Sequence, residues 1–335
     1  MKHPHSGIAI TAFVGAVALL MVGCSEEHSA PKPGSFDPGG WGSFGPPHYP
    51  MHQDEPSWSA TGAIAYRDNG IISIDSLTGA FSQDPTLAGI WVLEPQTGER
   101  RRILSYGFSP AWSPDGQQIA FENAGQIYVM DGDGSNVRQV TAGAQNSFPA
   151  WHPDGTRLLY DSDSGGKYDI WVVDVDGSNA MRFCAPVEGD RRLGAWNPDG
   201  MGILTAWYSG EFGDHAELYH VDENCHAEHL TVGQVAIVGQ PHYSPDGSQI
   251  ALTIGLESEA IPQVWVMSLD GSGAQPVTPM GGWNPSWSPD GTSVIFARPA
   301  LTKLSRTYGV LWIVNLQNRS AKQVSGWWPQ VGVRR

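Results

Sequence analysis

The chain has 335 residues, of which only 16% are charged, and it carries a formal net charge of −15 at pH 7. Its lysines and arginines are scattered along the sequence, which argues against nucleic acid or an anionic membrane surface as the ligand. The 41 glycines and 25 prolines are typical of a β-protein with many tight turns.

The first 23 residues are predicted to be a lipoprotein signal peptide. Lys2 precedes an apolar run from Ile8 to Val22, which is shorter than the roughly 20 residues that span a membrane comfortably. The run leads into a Met-Val-Gly-Cys sequence that ends at Cys24. This sequence resembles a bacterial lipobox and implies that the Cys24 thiol receives a diacylglyceryl group. An ordinary signal peptide with an incidental cysteine is the alternative.

Residues 24–55 are predicted to form a tether between the lipid anchor and a folded domain. They are rich in Pro, Gly, Ser and His and lack a hydrophobic period. Ser25, directly after Cys24, favours sorting to the outer membrane. The predicted location is therefore the bacterial cell envelope, with a lipid anchor in the outer membrane and the folded domain facing the periplasm.

Residues 56–335 contain a repeat that determines the predicted architecture. An aromatic residue, a polar residue and Pro-Asp-Gly recur at intervals of 39 to 54 residues, counting one eroded copy. Repeats of this period are typical of β-propellers and solenoids. The copies run from Trp58 to Gly62 (the eroded one), Trp112 to Gly116, Trp151 to Gly155, Trp196 to Gly200, Tyr243 to Gly247 and Trp287 to Gly291.

Each repeat is predicted to form four short antiparallel strands. Ser-Pro-Asp-Gly suits every position of a type I turn, because Gly can adopt a positive φ at the fourth place. An apolar run follows, and a third segment carries its own aromatic residue, such as Trp171. Four strands per unit make one blade. The sequence therefore predicts an all-β, six-bladed β-propeller of four-stranded antiparallel blades, with the large aromatic residues packed between blades.

The repeat resembles that of the TolB-type propeller family. The shared features are Trp-Ser-Pro-Asp-Gly, an Ile-Ala-Phe strand, an Ile-Tyr-Val-Met-Asp strand and Asp-Gly-Ser-Asn before the fourth strand, and the resemblance covers residues 56–335. It implies a six-bladed propeller that serves as a periplasmic or envelope binding module. Residues 24–55 are too few for the α/β domain that precedes the propeller in that family. That difference argues against a Tol-system role for this chain. The family's partner-binding residues are not encoded in the repeat motif, and none of them is carried over.

Cys184 and Cys225 are the two cysteines of the repeat region. An oxidising envelope favours a disulfide between them. The blade pattern argues against one, since Cys184 ends a fourth strand whereas Cys225 precedes one. That difference puts them near opposite faces of the ring, beyond the roughly 7 Å limit for bridged Cα atoms. We therefore expect free thiols.

No metal or other cofactor is predicted. The segments from Asp131 to Asn136 and from Asp174 to Asn179 superficially resemble calcium loops but lack the later acidic ligands. Cys225 and the two histidines that follow it form the densest group of soft ligands, yet the imidazoles would point to opposite faces of a strand. His152 replaces Ser in one Pro-Asp-Gly turn, where we expect it to sit in solvent.

His242 is the candidate residue of the central channel. The residue before each first-strand aromatic is Ala or Ser in the other five repeats, as crowding of the innermost strands around the axis requires. The imidazole of His242 should therefore lie beside a narrow polar channel. There it either hydrogen-bonds the neighbouring backbone or a channel water, or contacts a bound ligand or ion.

The remaining candidates are predicted on the face of the ring that carries irregular loops. The Pro-Asp-Gly turns and the third-to-fourth-strand turns should lie on one face. The longer second-to-third-strand loops and interblade connections should lie on the other, and binding residues concentrate on loops of a rigid scaffold. Aromatic and arginine side chains there have the composition of an interaction hot spot. The candidates are Arg191, Arg192, Tyr208, Phe212, Trp283, Arg306 and Tyr308.

The sequence predicts a non-enzymatic, monomeric binding or scaffolding propeller that engages an envelope protein or a cell-wall-associated partner across this face. The alternative is a carbohydrate-processing or sugar-binding propeller with a site at the channel mouth. The channel-facing positions offer one histidine, whereas a metal-bound cluster needs several. The segment from Trp327 to Val331 looks like the start of another repeat and is predicted to latch the last blade to the first.

Overall fold

The computed structural model describes residues 53–325 except for 75–80, 186–188, 210–214, 231–235, 238, 256–261, 279–280 and 300–308. The described residues form 27 β-strands, β1 to β27 in chain order, and no helix. Six sheets of consecutive antiparallel strands follow one another along the chain, and a two-stranded hairpin is inserted in the first. The predicted all-β, six-bladed propeller is confirmed.

The first three blades take up residues 53–182. Blade 1 also carries the inserted hairpin, between its second and third strands. Blade 1 consists of β1 (Gln53–Trp58), β2 (Ile64–Asp68), β5 (Gly89–Leu93) and β6 (Arg100–Leu104), with the hairpin β3 (Ile71–Ile74) and β4 (Phe81–Gln83). Blade 2 consists of β7 (Phe108–Trp112), β8 (Gln118–Asn123), β9 (Gln126–Asp131) and β10 (Arg138–Gln139). Blade 3 consists of β11 (Asn146–Trp151), β12 (Arg157–Ser162), β13 (Asp169–Asp174) and β14 (Met181–Arg182).

The last three blades repeat this order, except that the innermost strand of blade 5 is split into two pieces that both pair with the second strand. Blade 4 consists of β15 (Asp190–Trp196), β16 (Gly202–Ser209), β17 (His215–Asp222) and β18 (Ala227–His229). Blade 5 consists of β19 (Ala236–Ile237), β20 (His242–Tyr243), β21 (Gln249–Gly255), β22 (Gln263–Ser268) and β23 (Gln275–Pro276). Blade 6 consists of β24 (Trp283–Trp287), β25 (Ser293–Pro299), β26 (Gly309–Asn315) and β27 (Ala321–Gln323).

The hydrophobic core is divided among the six spaces between neighbouring blades. Each space holds one cluster of buried side chains, and each cluster includes one aromatic from a first strand and one from a third strand. The predicted interblade role of these rings is confirmed. Between blades 6 and 1, Trp58 and Trp91 pack against Trp283 and Leu311. Within the described residues, blade 6 meets blade 1 through this packing and through the Trp58 N–H, which donates to the Ser286 hydroxyl at 3.1 Å. The predicted latch at 327–331 lies outside the described residues.

The Pro-Asp-Gly repeats form the turns between first and second strands. In blade 2, the Gly116 N–H donates to the Ser113 carbonyl at 2.9 Å, and the Ser113 hydroxyl donates to the Asp115 carboxylate at 2.6 Å. Gly116 has a φ of 69°, which a side chain disfavours. The hydrogen bonds from Ser113 and from the Gln117 N–H hold the pKa of Asp115 below its usual range. These turns therefore present charged carboxylates at neutral pH.

The expectation of free thiols is wrong, because Cys184 and Cys225 form a disulfide with Cα atoms 5.7 Å apart. Strand β14 ends at Arg182, so Cys184 lies only two residues beyond it and remains near the level of the turns. Cys225 occupies the turn between β17 and β18, and its sulfur lies 4.0 Å from the Phe183 carbonyl oxygen, close to the end of β14. The error came from assuming a fourth strand long enough to cross the sheet.

The expectation that His152 sits in solvent is also wrong. Only 7% of the residue is exposed, and its ring packs edge-on against Trp196 of the next blade, with centroids 4.5 Å apart. Nδ1 lies 2.8 Å from the Asp154 carboxylate, and Nε2 lies 2.8 Å from the Arg157 guanidinium. The larger side chain fills space between blades 3 and 4 that a serine would leave open.

Candidate functional site at the central channel

The innermost strands of all six blades enclose a central cavity of about 400 Å³. Because the strands of each blade alternate in direction, the Pro-Asp-Gly turns lie at one end of this channel, which we call the turn face. The second-to-third-strand loops and the interblade connections lie at the other end, the loop face. Proline rings, small side chains and aromatic residues line most of the wall, and the polar residues include Glu55, Ser109, Gln240, His242 and Asn284.

A β-bulge interrupts the innermost strand near its loop-face end. The residue three places before the aromatic has a positive φ in five blades, and the pairing register shifts at the same point. Proline follows this residue in four of the five blades, and proline cannot donate to a strand ladder. A bulge re-aims the adjacent side chains. The bulged residues are Glu55, Ser109, Phe148, Leu193 and Asn284.

Side chains from the preceding blade hold the amides of three bulges. The Ser109 N–H donates to the Glu55 carboxylate at 2.5 Å, and the Leu193 N–H lies 3.0 Å from both carboxylate oxygens of Asp161. The Asn284 N–H donates to the Thr253 hydroxyl at 3.1 Å. These contacts satisfy backbone donors that the bulge removes from the ladder. The first of them also fixes the Glu55 side chain at the channel wall.

His242 lines the channel, as the sequence predicts. Its backbone carbonyl accepts a hydrogen bond from the Trp287 indole at 3.0 Å, which links blade 5 to blade 6. Burial lowers the pKa of the imidazole to about 4, so the ring is neutral at pH 7. Within the part of the chain that the structure describes, no hydrogen bond to the ring is recorded. Whether it contacts a ligand stays a prediction.

Charged and aromatic side chains gather where the second strands approach the loop face of blades 1 to 4. The Arg67 guanidinium lies 3.8 Å from the Phe108 ring centroid, and the Arg192 guanidinium lies 3.5 Å from that of Tyr168. Both distances are typical of cation–π stacking. We call this group the loop-face mouth. It consists of Glu55, Arg67, Phe108, Glu122, Asp161, Tyr168 and Arg192.

Two carboxyl groups of the loop-face mouth have strongly perturbed acidities. Burial raises the pKa of Glu122 to about 8, and the facing carboxylates of Glu55 and Asp161 raise it further against the opposing effect of Arg67. Burial also raises the pKa of Asp161 to about 7, although Arg192 and the backbone N–H groups of blade 4 oppose the shift. Strongly perturbed carboxyl groups are typical of functional sites.

The predicted hot-spot residues occupy positions different from those expected. Arg191 lies in β15 with only 4% of its surface exposed, and its Nε donates to the Asp169 carboxylate at 2.7 Å. Trp283 lies in β24 inside the core between blades 6 and 1. The prediction that these two side chains belong to surface loops is wrong. Their binding role remains untested, and burial in structural contacts explains their presence.

The other predicted hot-spot residues divide into two groups. Arg192 in β15 and Tyr208 in β16 are partly exposed near the loop face, so they remain candidates for binding. Phe212, Arg306 and Tyr308 lie outside the described residues, as does the predicted lipidation site Cys24.

Sequence reasoning missed Glu122, Asp161, Arg67 and Ser109. The sequence did contain a signal for the first three, because they occupy equivalent positions in the second strands of their blades. Each lies three residues after the second-strand residue that pairs with the Trp of the first strand. A charged residue at that place interrupts an otherwise apolar second strand. The prolines two residues before the aromatics also marked the bulge that exposes Ser109 to the channel.

Among the described residues, no group of three or more His, Cys, Asp or Glu side chains is arranged to hold a metal ion. The same residues contain no helix long and apolar enough to cross a membrane. The described residues at the channel and the loop-face mouth offer carboxyl groups, hydroxyls, amides, the neutral imidazole of His242 and stacked arginines.

Comparison with known proteins identifies relatives of this fold. Residues 80–209 match the family model described as the TolB beta propeller domain. The Tol-Pal system protein TolB of Anaeromyxobacter dehalogenans is 33% identical over 138 residues, which is 39% of this chain and 29% of that protein. The chain thus spans less than a third of the length of that curated relative.

Solved structures share the architecture at low sequence identity. TolB from Acinetobacter baumannii superposes with a TM-score of 0.61 at 22% identity, covering 78% of this chain and 63% of that one. An oligogalacturonate lyase from Vibrio parahaemolyticus superposes with a TM-score of 0.51 at 14% identity, covering 79% and 78%. At these identities the structures show a common fold and do not assign an activity. Together with the family match and the six blades, they show that the chain is a six-bladed β-propeller similar to the TolB propeller domain.

Proposed function

We propose that the protein is a bacterial envelope lipoprotein that binds a protein partner across the loop face, without catalysing a reaction. The similarity to TolB proteins supports a binding role in the envelope. The observation that carries the proposal is the loop-face mouth, which concentrates stacked arginines, aromatic rings and carboxyl groups at one end of the channel. Arginine and aromatic side chains are enriched at the energetic centres of protein interfaces.

The sequence supports the proposed lipid anchor. Cys24 follows a signal-peptide-length apolar run, and the proline-rich and glycine-rich segment after it is suited to a tether. Strand β1 begins at Gln53 and runs from the loop face toward the turn face, so the tether joins the propeller beside the loop-face mouth. Wild-type protein should incorporate radioactive palmitate and Cys24→Ala should not. Labelling of both would contradict lipidation at this residue.

Partner binding is tested by capture from envelope extract after chemical crosslinking, with the purified full chain as bait. Lys167 is exposed in the loop between β12 and β13, next to Tyr168 of the mouth, and Lys322 is exposed on the outermost strand β27. Charge reversal by Lys167→Glu should reduce the captured partner about tenfold or more, as expected when one interface contact worth about 1.4 kcal/mol is lost. The matched control Lys322→Glu should capture as much as wild type.

Equal capture by wild type and both variants would contradict binding through the loop face. Cleavage of a glycan by the purified protein would contradict the non-enzymatic role and would favour the carbohydrate-processing alternative instead.

A further inference from the structure

The loop-face mouth contains more carboxyl groups than cations. Glu55, Glu122 and Asp161 come from three consecutive blades, and the charges of Glu55 and Asp161 both raise the pKa of Glu122. The guanidinium groups that face them are those of Arg67 and Arg192. Both guanidinium groups also lie over aromatic rings. With all groups ionised, this set of described residues has a net charge of −1.

Burial makes that excess negative charge unfavourable. Glu122 has a pKa of about 8 because it is desolvated and faces two other carboxyl groups, with Arg67 as the opposing cation. The side chain is therefore mostly protonated at pH 7. A cation placed beside it would allow the carboxylate to ionise, so the mouth has an electrostatic affinity for a positive ligand.

An independent observation comes from Ser109, which lines the channel at the bulge of β7. Only 7% of the residue is exposed, and its hydroxyl has no hydrogen-bond partner among the residues that the structure describes. Its backbone N–H donates to the Glu55 carboxylate, and the preceding residue, Phe108, pairs with Glu122 across the two strands, so Ser109 adjoins two of the carboxyl groups. A buried hydroxyl without a partner costs free energy, and a ligand that hydrogen-bonds to it would remove that cost.

We propose that the loop-face mouth binds a primary ammonium group, with the Glu122 and Glu55 carboxylates and the Ser109 hydroxyl as its acceptors. An ammonium group is a compact charge with three N–H donors, which matches three acceptors. A metal ion fits less well, because the described carboxyl groups are not arranged to hold one. A guanidinium is planar and wider, and two already occupy the mouth.

This inference deepens the proposed function and rests on it for the source of the ammonium group. A lysine side chain of the bound partner could supply the group, and so could a free amine. The two sources share the same chemistry at the mouth. A small amine therefore tests the site itself, while partner capture tests the function separately.

The test is isothermal titration calorimetry of the purified full-length protein with n-pentylamine, with 1-pentanol as the probe that lacks the charge. Saturable binding of the amine and none of the alcohol is expected. The amine stays protonated up to about pH 10, whereas Glu122 ionises near pH 8 in the presence of Glu55, Asp161 and Arg67. Binding should therefore strengthen from pH 6 to pH 8, by up to about 50-fold if Glu122 alone changes its charge.

Three variants locate the site. Glu122→Gln should remove most of the pH dependence, leaving the smaller part that comes from ionisation of Asp161, and should weaken binding at pH 8 at least tenfold. Ser109→Ala should weaken binding several-fold without changing the pH dependence. The control Glu223→Gln, in the exposed turn between β17 and β18, should bind as wild type does. Thermal unfolding of each variant checks that the propeller is intact.

Three results would overturn the proposal. One is the absence of saturable amine binding by the wild type. Another is unchanged binding by a folded Glu122→Gln protein. The third is tight binding of calcium ions alone that blocks the amine, because this would assign the mouth to a metal. A negative amine titration together with continued, Lys167-dependent partner capture would reject the ammonium site and leave the proposed function standing.

Discussion

The disulfide between Cys184 and Cys225 gives the sharpest prediction about stability. It joins the outer part of blade 3 to the β17–β18 turn of blade 4, so it crosslinks two blades that otherwise meet through side-chain packing. Removing it leaves both folded blades with the same strands and the same hydrogen-bond ladders. The perturbation therefore acts mainly on the unfolded chain, which becomes free to explore more conformations.

The expected magnitude follows from the length of the closed loop. The two cysteines are 41 residues apart, and a loop of that size corresponds to about 4 kcal/mol of chain entropy at 25 °C. At about 2 °C per kcal/mol for a domain of this size, the melting temperature should fall by about 8 °C. Cys184 is buried, so Ala is the better replacement because a serine hydroxyl would add an unpartnered polar group.

The assay compares urea unfolding of the oxidised wild type with that of the Cys184→Ala/Cys225→Ala double variant and of wild type treated with a reductant. Both modified proteins should lose about 4 kcal/mol, and they should agree with each other to within about 1 kcal/mol. A thiol titration of the native wild type should detect neither Cys184 nor Cys225. Equal unfolding midpoints before and after reduction, or two reactive thiols in the native protein, would refute the crosslink.

Two further predictions concern buried ionisable groups. Arg191→Met should lower the free energy of unfolding by about 3 to 5 kcal/mol, because it removes the closest cation from the buried Asp169 carboxylate. The control Arg101→Met, on the exposed strand β6, should change the free energy of unfolding by less than about 0.5 kcal/mol. Urea denaturation measures both, and equal losses would show that Arg191 has no special role. His242 has a pKa lowered to about 4, so the unfolded chain, with a histidine pKa near 6.5, binds more protons between these values. Stability should therefore fall by up to about 3 kcal/mol as the pH drops from 6.5 to 4, and His242→Gln should lack this part of the pH dependence. A His242 imidazole that titrates above pH 6 by NMR would contradict the burial.

Most of the fold could be predicted because the sequence preferences for the turns and strands of one blade recur six times along the chain. Pro-Asp-Gly sets the conformation of each first turn, and alternating aromatic and β-branched residues set the strands. The eroded copy keeps only the Trp, Ser and Gly of the motif, yet Trp58 packs between blades 6 and 1 as the regular copies pack in their own interfaces. Hydrophobic packing between blades needs only the right residue types at the right places in each strand.

The candidate site was predicted less well, because its members meet across blades. His242 could be placed at the channel because it replaces a small residue that crowding around the axis otherwise requires. Arg191 and Arg192 are neighbours in sequence, but β-strand alternation buries the first against Asp169 and leaves the second partly exposed over Tyr168. The sequence predicted a pair of arginines at the site but did not show which of the two side chains would be exposed for binding.

The sequence by itself determined the number of blades, the position of each turn and the residues that pack between blades, since these depend on backbone preferences and hydrophobic patterns within about 45 residues. Only the tertiary structure decided that Cys184 meets Cys225 and that Glu55, Glu122 and Asp161 share one end of the channel. Those contacts depend on the stagger between adjacent sheets and on the bulges at the axis. Both arise when six sheets pack around a common centre, and no single repeat encodes them.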